Sequence, residues 1–116
     1  MKIALIGYGK MGKTIEMVAK ERGHEIVAKI DSSDFSALDI TDADVAIEFT
    51  QPDVAYQNIL KCYEANVPVV VGTTAWYEHF EAAAEQAKLE GKCLFTATNF
   101  SIGVNILFHM NEKLST

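Results

Sequence analysis

The residues that could do chemistry begin with three glycines in the segment Gly7-Tyr8-Gly9-Lys10-Met11-Gly12. The segment follows a β-branched apolar run at residues 2–6 and precedes apolar residues at helical spacing. In a strand–turn–helix unit, the first glycine makes a tight turn, the second lets the backbone approach a pyrophosphate, and the third lets the helix pack closely on the strand. The segment therefore predicts a dinucleotide at the N-terminus of a helix. The alternative is a structural turn without a ligand.

An acidic residue, Asp31, ends the second apolar run, about 20 residues after the last glycine, where the dinucleotide pattern places one. A carboxylate there can accept hydrogen bonds from both hydroxyls of an adenosine ribose, and it repels a 2′-phosphate. Ser32 and Ser33 follow it, so the usual arginine clamp for that phosphate is missing. Lys10 offers a cation that would keep NADPH acceptable. The sequence predicts NADH or NADPH, with NADH favoured, and a solvated side chain is the alternative for Asp31 and Lys10.

Polar and aromatic residues follow three further apolar runs, at residues 48–52, 72–74 and 98–101. Ligands of open parallel sheets bind beyond the carboxyl ends of the strands. Phe49 can pack on a nicotinamide or ribose, and the backbone around Gly72 and Thr73 can bind a carboxamide. Thr74 and Asn99 offer polar groups at the same edge. Each segment could be an ordinary turn, but together they predict a cofactor cleft.

The elements that must position these segments alternate between strands and helices. The predicted strands span residues 2–6, 25–30, 44–49, 67–72 and 92–97, and the predicted helices begin near residues 10, 53, 76 and 106, with a polar loop at 32–39. This order predicts a parallel sheet with helices on both faces. Right-handed connections then favour a Rossmann-like, doubly wound α/β fold in a single domain over residues 1–116.

Composition restricts the partners. The net charge is −6 with no block of basic residues, which argues against nucleic acid, and no apolar run approaches the roughly 20 residues of a membrane span. The start of the chain is not typical of a signal peptide, so we expect a cytoplasmic protein. Cys62 and Cys93 are interpreted as small buried side chains. His24, His79 and His109 are assigned packing or surface roles, and no metal site is expected.

Four motifs resemble one known family. GYGKMG, EFTQP, GTTAW and ATNFSIGVN, in this order, are similar to the N-terminal domain of the 4-hydroxy-tetrahydrodipicolinate (dihydrodipicolinate) reductase family, over the whole chain. The resemblance implies an NAD(P)H-dependent oxidoreductase that reduces a cyclic imine-type dicarboxylate in the diaminopimelate route to lysine. It also implies a homo-oligomer, a tetramer built largely through a second domain.

The motifs and the resemblance together predict the following cofactor-binding residues: Gly7, Tyr8, Gly9, Lys10, Met11, Gly12, Asp31, Phe49, Thr50, Gly72, Thr73, Thr74, Thr98, Asn99 and Phe100. By the resemblance, Thr74 also matches a position that touches substrate. There are two departures from the family pattern. Ala75 replaces the last glycine of GTTG, and Glu48 stands where many members have Asp.

The family's second domain carries a histidine pair, a lysine and a D-A-P-S-G-T run that bind the dicarboxylate and supply the proton. None of these occurs in the 116 residues, so no catalytic residue is assigned, and we expect cofactor binding without turnover. We expect a domain or fragment that exposes apolar side chains around residues 106–108. The alternatives are the cofactor domain of another oxidoreductase, of the homoserine, semialdehyde or pyrroline type, and a stand-alone NAD(H)-sensing module.

Overall fold

A computed structural model of the chain describes residues 1–31, 35–73 and 77–96. Strands and helices alternate along this part of the chain. The strands are β1 (Lys2–Ile6), β2 (Glu25–Ile30), β3 (Val45–Glu48), β4 (Val69–Val71) and β5 (Leu94–Thr96). The helices are α1 (Lys10–Glu21), α2 (Pro52–Glu64) and α3 (Phe80–Glu90), with short 3-10 helices at Ala37–Ile40 and Tyr77–His79. The predicted alternation is confirmed.

The five strands form one parallel sheet in the order β2-β1-β3-β4-β5. After β1 the chain moves outward to β2, and it then crosses back to add β3 on the other side of β1. The connections that leave β1 and β3 therefore diverge, and such a switch point opens a crevice at the carboxyl edge of a doubly wound sheet.

Helices cover both faces of the sheet, because successive side chains of a strand point to opposite sides. On one face Ile3 and Leu5 of β1 pack with Ile15 and Ala19 of α1. On the other face Ala4 and Ile6 of β1 pack beneath α2 and α3. The inner strands are buried on both sides and apolar almost throughout, as expected for a parallel sheet. The predicted α/β, doubly wound fold is confirmed.

The two helices on the second face are joined by a buried tyrosine. The Tyr63 hydroxyl of α2 donates a hydrogen bond of 2.8 Å to the Ala83 carbonyl of α3, and burial raises the pKa of this tyrosine to about 12. The neighbouring Cys62 is also buried, and burial raises the pKa of its thiol to about 12. The prediction for Cys62 is confirmed, and its thiol is held in the unreactive protonated form.

Three details of the prediction were wrong. Cys93 is exposed, because it lies just before β5, the outermost strand on that side of the described sheet; its carbonyl accepts a hydrogen bond of 3.1 Å from the Val69 N–H. The predicted loop at 32–39 contains the start of a 3-10 helix, stabilised where the Ser36 N–H donates to Asp39 at 2.8 Å. The third helix begins at Phe80 rather than residue 76, since a 3-10 turn precedes it.

Several predicted features lie outside the described residues: the NFSIGVN loop, the helix from residue 106 with His109, the two serines after Asp31, and Ala75. In the part of the chain that the structure describes, no helix is long and apolar enough to cross a membrane. The same part holds no group of three or more His, Cys, Asp or Glu side chains that could bind a metal ion. His24 is buried and His79 is exposed.

Candidate functional site

The turn between β1 and α1 requires two of its three glycines for packing. Gly7 has φ of +99°, a left-handed conformation that favours glycine, and a Cβ on it would lie 1.9 Å from the Phe49 carbonyl oxygen. A Cβ on Gly12 would lie 2.5 Å from the Gly7 carbonyl oxygen. These two glycines therefore allow β3 and α1 to approach the turn closely, as the sequence pattern predicts.

The middle glycine faces open space. A Cβ on Gly9 would meet no atom of the described residues within 4 Å. Gly9 is also the N-cap of α1, where no side chain of the described residues caps the helix and the first turn contains no acidic residue. The N–H groups at this helix end therefore have no side-chain cap among the described residues, and the helix dipole favours an anion there.

A cleft of about 410 Å³ opens beside this turn, a size typical of small-molecule sites. It lies at the switch point between β1 and β3, where connections diverge on the carboxyl edge of the sheet. This cleft is defined by its lining residues, which are Gly7, Tyr8, Gly9, Asp31, Phe49, Thr50, Gln51, Val54 and Asn58.

The cleft brings together six of the predicted site residues, namely Gly7, Tyr8, Gly9, Asp31, Phe49 and Thr50. Lys10 and Met11 lie exposed in the first turn of α1, outside the lining, and Gly12 is buried beneath it. Thr74, Thr98, Asn99 and Phe100 lie outside the described residues. The structure thus brings the predicted segments after β1, β2 and β3 to one cleft.

Gly72 and Thr73 lie behind the cleft rather than on its lining. A Cβ on Gly72 would overlap the Phe49 ring, at 1.7 Å from its Cε1 atom, so the absence of a side chain makes room for this phenylalanine. The Thr73 hydroxyl accepts a hydrogen bond of 2.7 Å from the Thr50 N–H. Both residues therefore hold the β3–α2 turn that forms one wall of the cleft.

The predicted segment 48–52 included Gln51, whereas Val54 and Asn58 were not assigned to the site from the sequence; all three residues line the cleft. They are spaced three and four residues apart, which places them on one face of α2. The helical spacing was the signal available in the sequence for these residues. It predicts that they share a face of α2, but not which neighbouring elements that face contacts.

A buried polar cluster lies beneath the wall formed by β3 and β4. Glu48 is fully buried and accepts hydrogen bonds from the hydroxyls of Thr50 and Thr73. The side-chain amide of Asn58 donates to it at 2.9 Å. A buried carboxylate is costly unless it is hydrogen-bonded, and these three donors compensate it. The sequence placed Glu48 in the predicted segment 48–52 and noted it as a departure from a family pattern, but it did not predict these partners.

A cluster of charged side chains around Glu16 orients Tyr8 of the same turn. The Tyr8 hydroxyl donates to Glu16 of α1, which also pairs with Lys20 at 3.1 Å and Lys29 at 3.3 Å. The hydrogen bond from Tyr8, together with these lysines, lowers the pKa of Glu16 to about 2, and the same bond raises the pKa of Tyr8. The Lys29 ammonium lies 5.3 Å from the Tyr8 ring centroid, within cation–π range.

Comparison with known proteins identifies similar sequences along the chain. The family model described as "Dihydrodipicolinate reductase, N-terminus" matches residues 1–100. The 4-hydroxy-tetrahydrodipicolinate reductase of Christiangramia forsetii is 46% identical over 117 residues, which cover 99% of this chain and 48% of that protein. The protein of the same name from Staphylococcus aureus strain Mu3 is 35% identical, over 92% of this chain and 47% of that protein. The chain spans about half the length of these curated relatives.

Among solved structures, the chain resembles the signal receiver domain of a modulated diguanylate cyclase from Desulfovibrio desulfuricans G20. The TM-score is 0.64 at 12% identity, and the match covers 99% of this chain and 98% of that one. At this level of identity the likeness concerns the fold alone.

Proposed function

The chain belongs to the dihydrodipicolinate reductase family, whose N-terminal part it matches, and from this premise we propose that it binds NADH or NADPH in the cleft. The observation that carries the proposal is the open space at Gly9, directly at the uncapped N-terminus of α1. A pyrophosphate needs such a close approach to backbone N–H groups. The family match also disfavours the homoserine, semialdehyde and pyrroline-type alternatives.

The sheet order gives the proposed orientation of the cofactor. With the pyrophosphate at the β1–α1 turn, Asp31 at the end of β2 accepts hydrogen bonds from the adenosine ribose. The nicotinamide half then extends in the opposite direction, past Phe49 and Thr50 toward Gly72 and Thr73. The remaining candidates, Lys10, Met11, Gly12, Thr74, Thr98, Asn99 and Phe100, stay part of the proposed site as the sequence assigned them.

In the whole protein, we propose that the reaction is reduction of a cyclic imine-type dicarboxylate in the diaminopimelate route to lysine, within a cytoplasmic homo-oligomer. The bound dinucleotide supplies the hydride. The role of residues 1–116 is to bind and orient it. These residues contain no adjacent pair of histidines and none of the D-A-P-S-G-T run. We therefore expect them, taken alone, to bind cofactor without measurable turnover of substrate.

Calorimetric titration with NADH and then NADPH, at one fixed salt concentration, tests this proposal. We expect both to bind, with NADH preferred because Asp31 repels a 2′-phosphate. Asp31→Asn, which keeps the size of the side chain and removes the charge, is expected to abolish that preference. Failure of the folded chain to bind either cofactor would contradict the proposal for these residues, with folding checked by circular dichroism.

A further inference from the structure

We propose that Glu48 is a positioning residue for the nicotinamide end of the cofactor. It holds Thr50 and Thr73, which belong to two different strand ends, in one mutual arrangement. This inference deepens the proposed function and rests on it, because it requires the dinucleotide to bind in the cleft.

The contacts of Glu48 form a closed set of hydrogen bonds. One carboxylate oxygen, Oε1, accepts from the hydroxyl of Thr73, and the other, Oε2, accepts from the hydroxyl of Thr50 and from Asn58 Nδ2 at 2.9 Å. The Thr50 N–H in turn donates to the Thr73 hydroxyl oxygen at 2.7 Å. The carboxylate therefore joins the β3–α2 turn, the end of β4 and the middle of α2.

In this arrangement both side-chain oxygens of Glu48 act as acceptors, which determines the direction of each bond. Both threonine hydroxyls must point their hydrogens at Glu48, which leaves the Thr73 oxygen free to accept from the Thr50 backbone. A glutamine would offer an N–H₂ group in place of one acceptor, so at least one bond would have to reverse or break.

The orientation of Asn58 is a second consequence of the acceptor role of Glu48. Its Nδ2 faces Glu48, and its Oδ1 is buried without a hydrogen-bond partner among the described residues. Leaving a buried acceptor unpaired costs free energy. Rotating the amide would place Oδ1 against the carboxylate oxygen, which is worse. The carboxylate therefore decides the arrangement of the whole cluster.

The position of the cluster relative to the glycine turn indicates which half of the cofactor it serves. In the sheet, β1 lies between β2, which Asp31 directly follows, and β3, which ends at Glu48. Glu48 and Thr73 therefore lie on the side of the turn opposite Asp31. Thr50 and the Phe49 ring, which packs on Gly72, form the cleft wall on that side.

Titration with NADH and with ADP-ribose, which lacks the nicotinamide, separates positioning from general stability. In Glu48→Gln we expect the affinity for NADH to fall about tenfold, the scale of one lost charge-assisted hydrogen bond. The affinity for ADP-ribose is expected to stay within about twofold, a free-energy change below 0.5 kcal/mol. Glu48→Asp keeps the carboxyl group and is expected to restore most of the wild-type ratio of the two affinities.

Two further variants keep the test decisive. Thr73→Val removes the hydroxyl at nearly constant volume, and it is expected to show the same selective loss of NADH if Glu48→Gln does not fold. Glu85→Gln is the control, because Glu85 is an exposed acidic residue of α3 and does not line the cleft. We expect it to leave the ratio of NADH to ADP-ribose affinity unchanged.

Each outcome has one meaning. A selective loss of NADH affinity supports the positioning role. Equal changes for both ligands, or no change for either, overturn it while leaving the proposed function intact. A folded wild-type chain that binds neither ligand overturns the proposed function, and the role of Glu48 with it.

Discussion

At the scale of single residues, the three glycines of the β1–α1 turn have different roles, although they form one motif in the sequence. Gly7 and Gly12 are required by neighbouring backbone, which leaves no room for a Cβ at either position. Gly9 is under no such constraint, since a Cβ there would point into open space. Because the packing does not require glycine at position 9, a substitution of Gly9 tests ligand binding separately from stability.

We therefore expect Gly9→Ala to lower NADH affinity while changing the free energy of unfolding by less than about 1 kcal/mol. Gly12→Ala is the matched comparison. Its Cβ would lie 2.5 Å from the Gly7 carbonyl oxygen, and we expect it to lose about 1–3 kcal/mol of stability. Urea unfolding and calorimetry measure the two quantities. Unchanged NADH affinity in Gly9→Ala would contradict the assignment of the pyrophosphate to this turn.

At the scale of elements, α1 and β2 are joined by an acidic side chain that also orients the turn. Glu16 on α1 accepts from Tyr8 in the turn and pairs with Lys29 on β2 at 3.3 Å. Because the pKa of Glu16 is lowered to about 2 from its ordinary 4.5, the folded chain favours the ionised form more strongly than the unfolded chain does.

The sign of the pH dependence follows from this lowered pKa. The stabilisation from Glu16 is fully present above pH 4.5 and is lost as the pH falls from 4.5 toward 2. Between pH 4.5 and 2, we expect the free energy of unfolding of Glu16→Gln to fall less steeply than that of the wild type. Urea unfolding at a series of pH values measures it, and Glu85→Gln, an exposed position of α3, is the control. Identical slopes for wild type and Glu16→Gln would disprove the role of Glu16.

At the scale of the whole molecule, the order of the strands decides where a ligand can bind. The neighbouring strands β1 and β3 are consecutive in space but not along the chain, so their following connections leave a cleft between them. Asp31 directly follows β2 and Glu48 ends β3, the strands on either side of β1. In the proposed binding mode, each half of the dinucleotide would then contact one wall of the cleft.

A ligand that binds this cleft only in the folded chain must stabilise the chain as a whole. At a free NADH concentration 100 times its dissociation constant, we expect a gain of about 2.7 kcal/mol in the free energy of unfolding. For a domain of this size, that corresponds to a rise in Tm of roughly 10 °C. Thermal melts followed by circular dichroism measure the shift, with adenosine, which lacks the pyrophosphate, as the control ligand. A Tm that NADH leaves unchanged would argue against binding in this cleft.

The sequence alone was sufficient for the elements and for the fold class. Continuous apolar runs and helical spacing are properties of neighbours along the chain, so β1, α1, β2 and α2 were predicted close to their observed bounds. The glycine turn and Asp31 were predicted for the same reason, because their spacing belongs to a single strand–helix–strand unit.

Only the tertiary structure decided the strand order, the exposure of Cys93 and the partners of Glu48. Thr73 lies 25 residues from Glu48 along the chain, and no local pattern relates them. Their contact exists because β4 pairs beside β3 and brings both strand ends to the same edge. Local periodicity selects the elements, but the free energy of burying their faces against one another selects which polar groups meet.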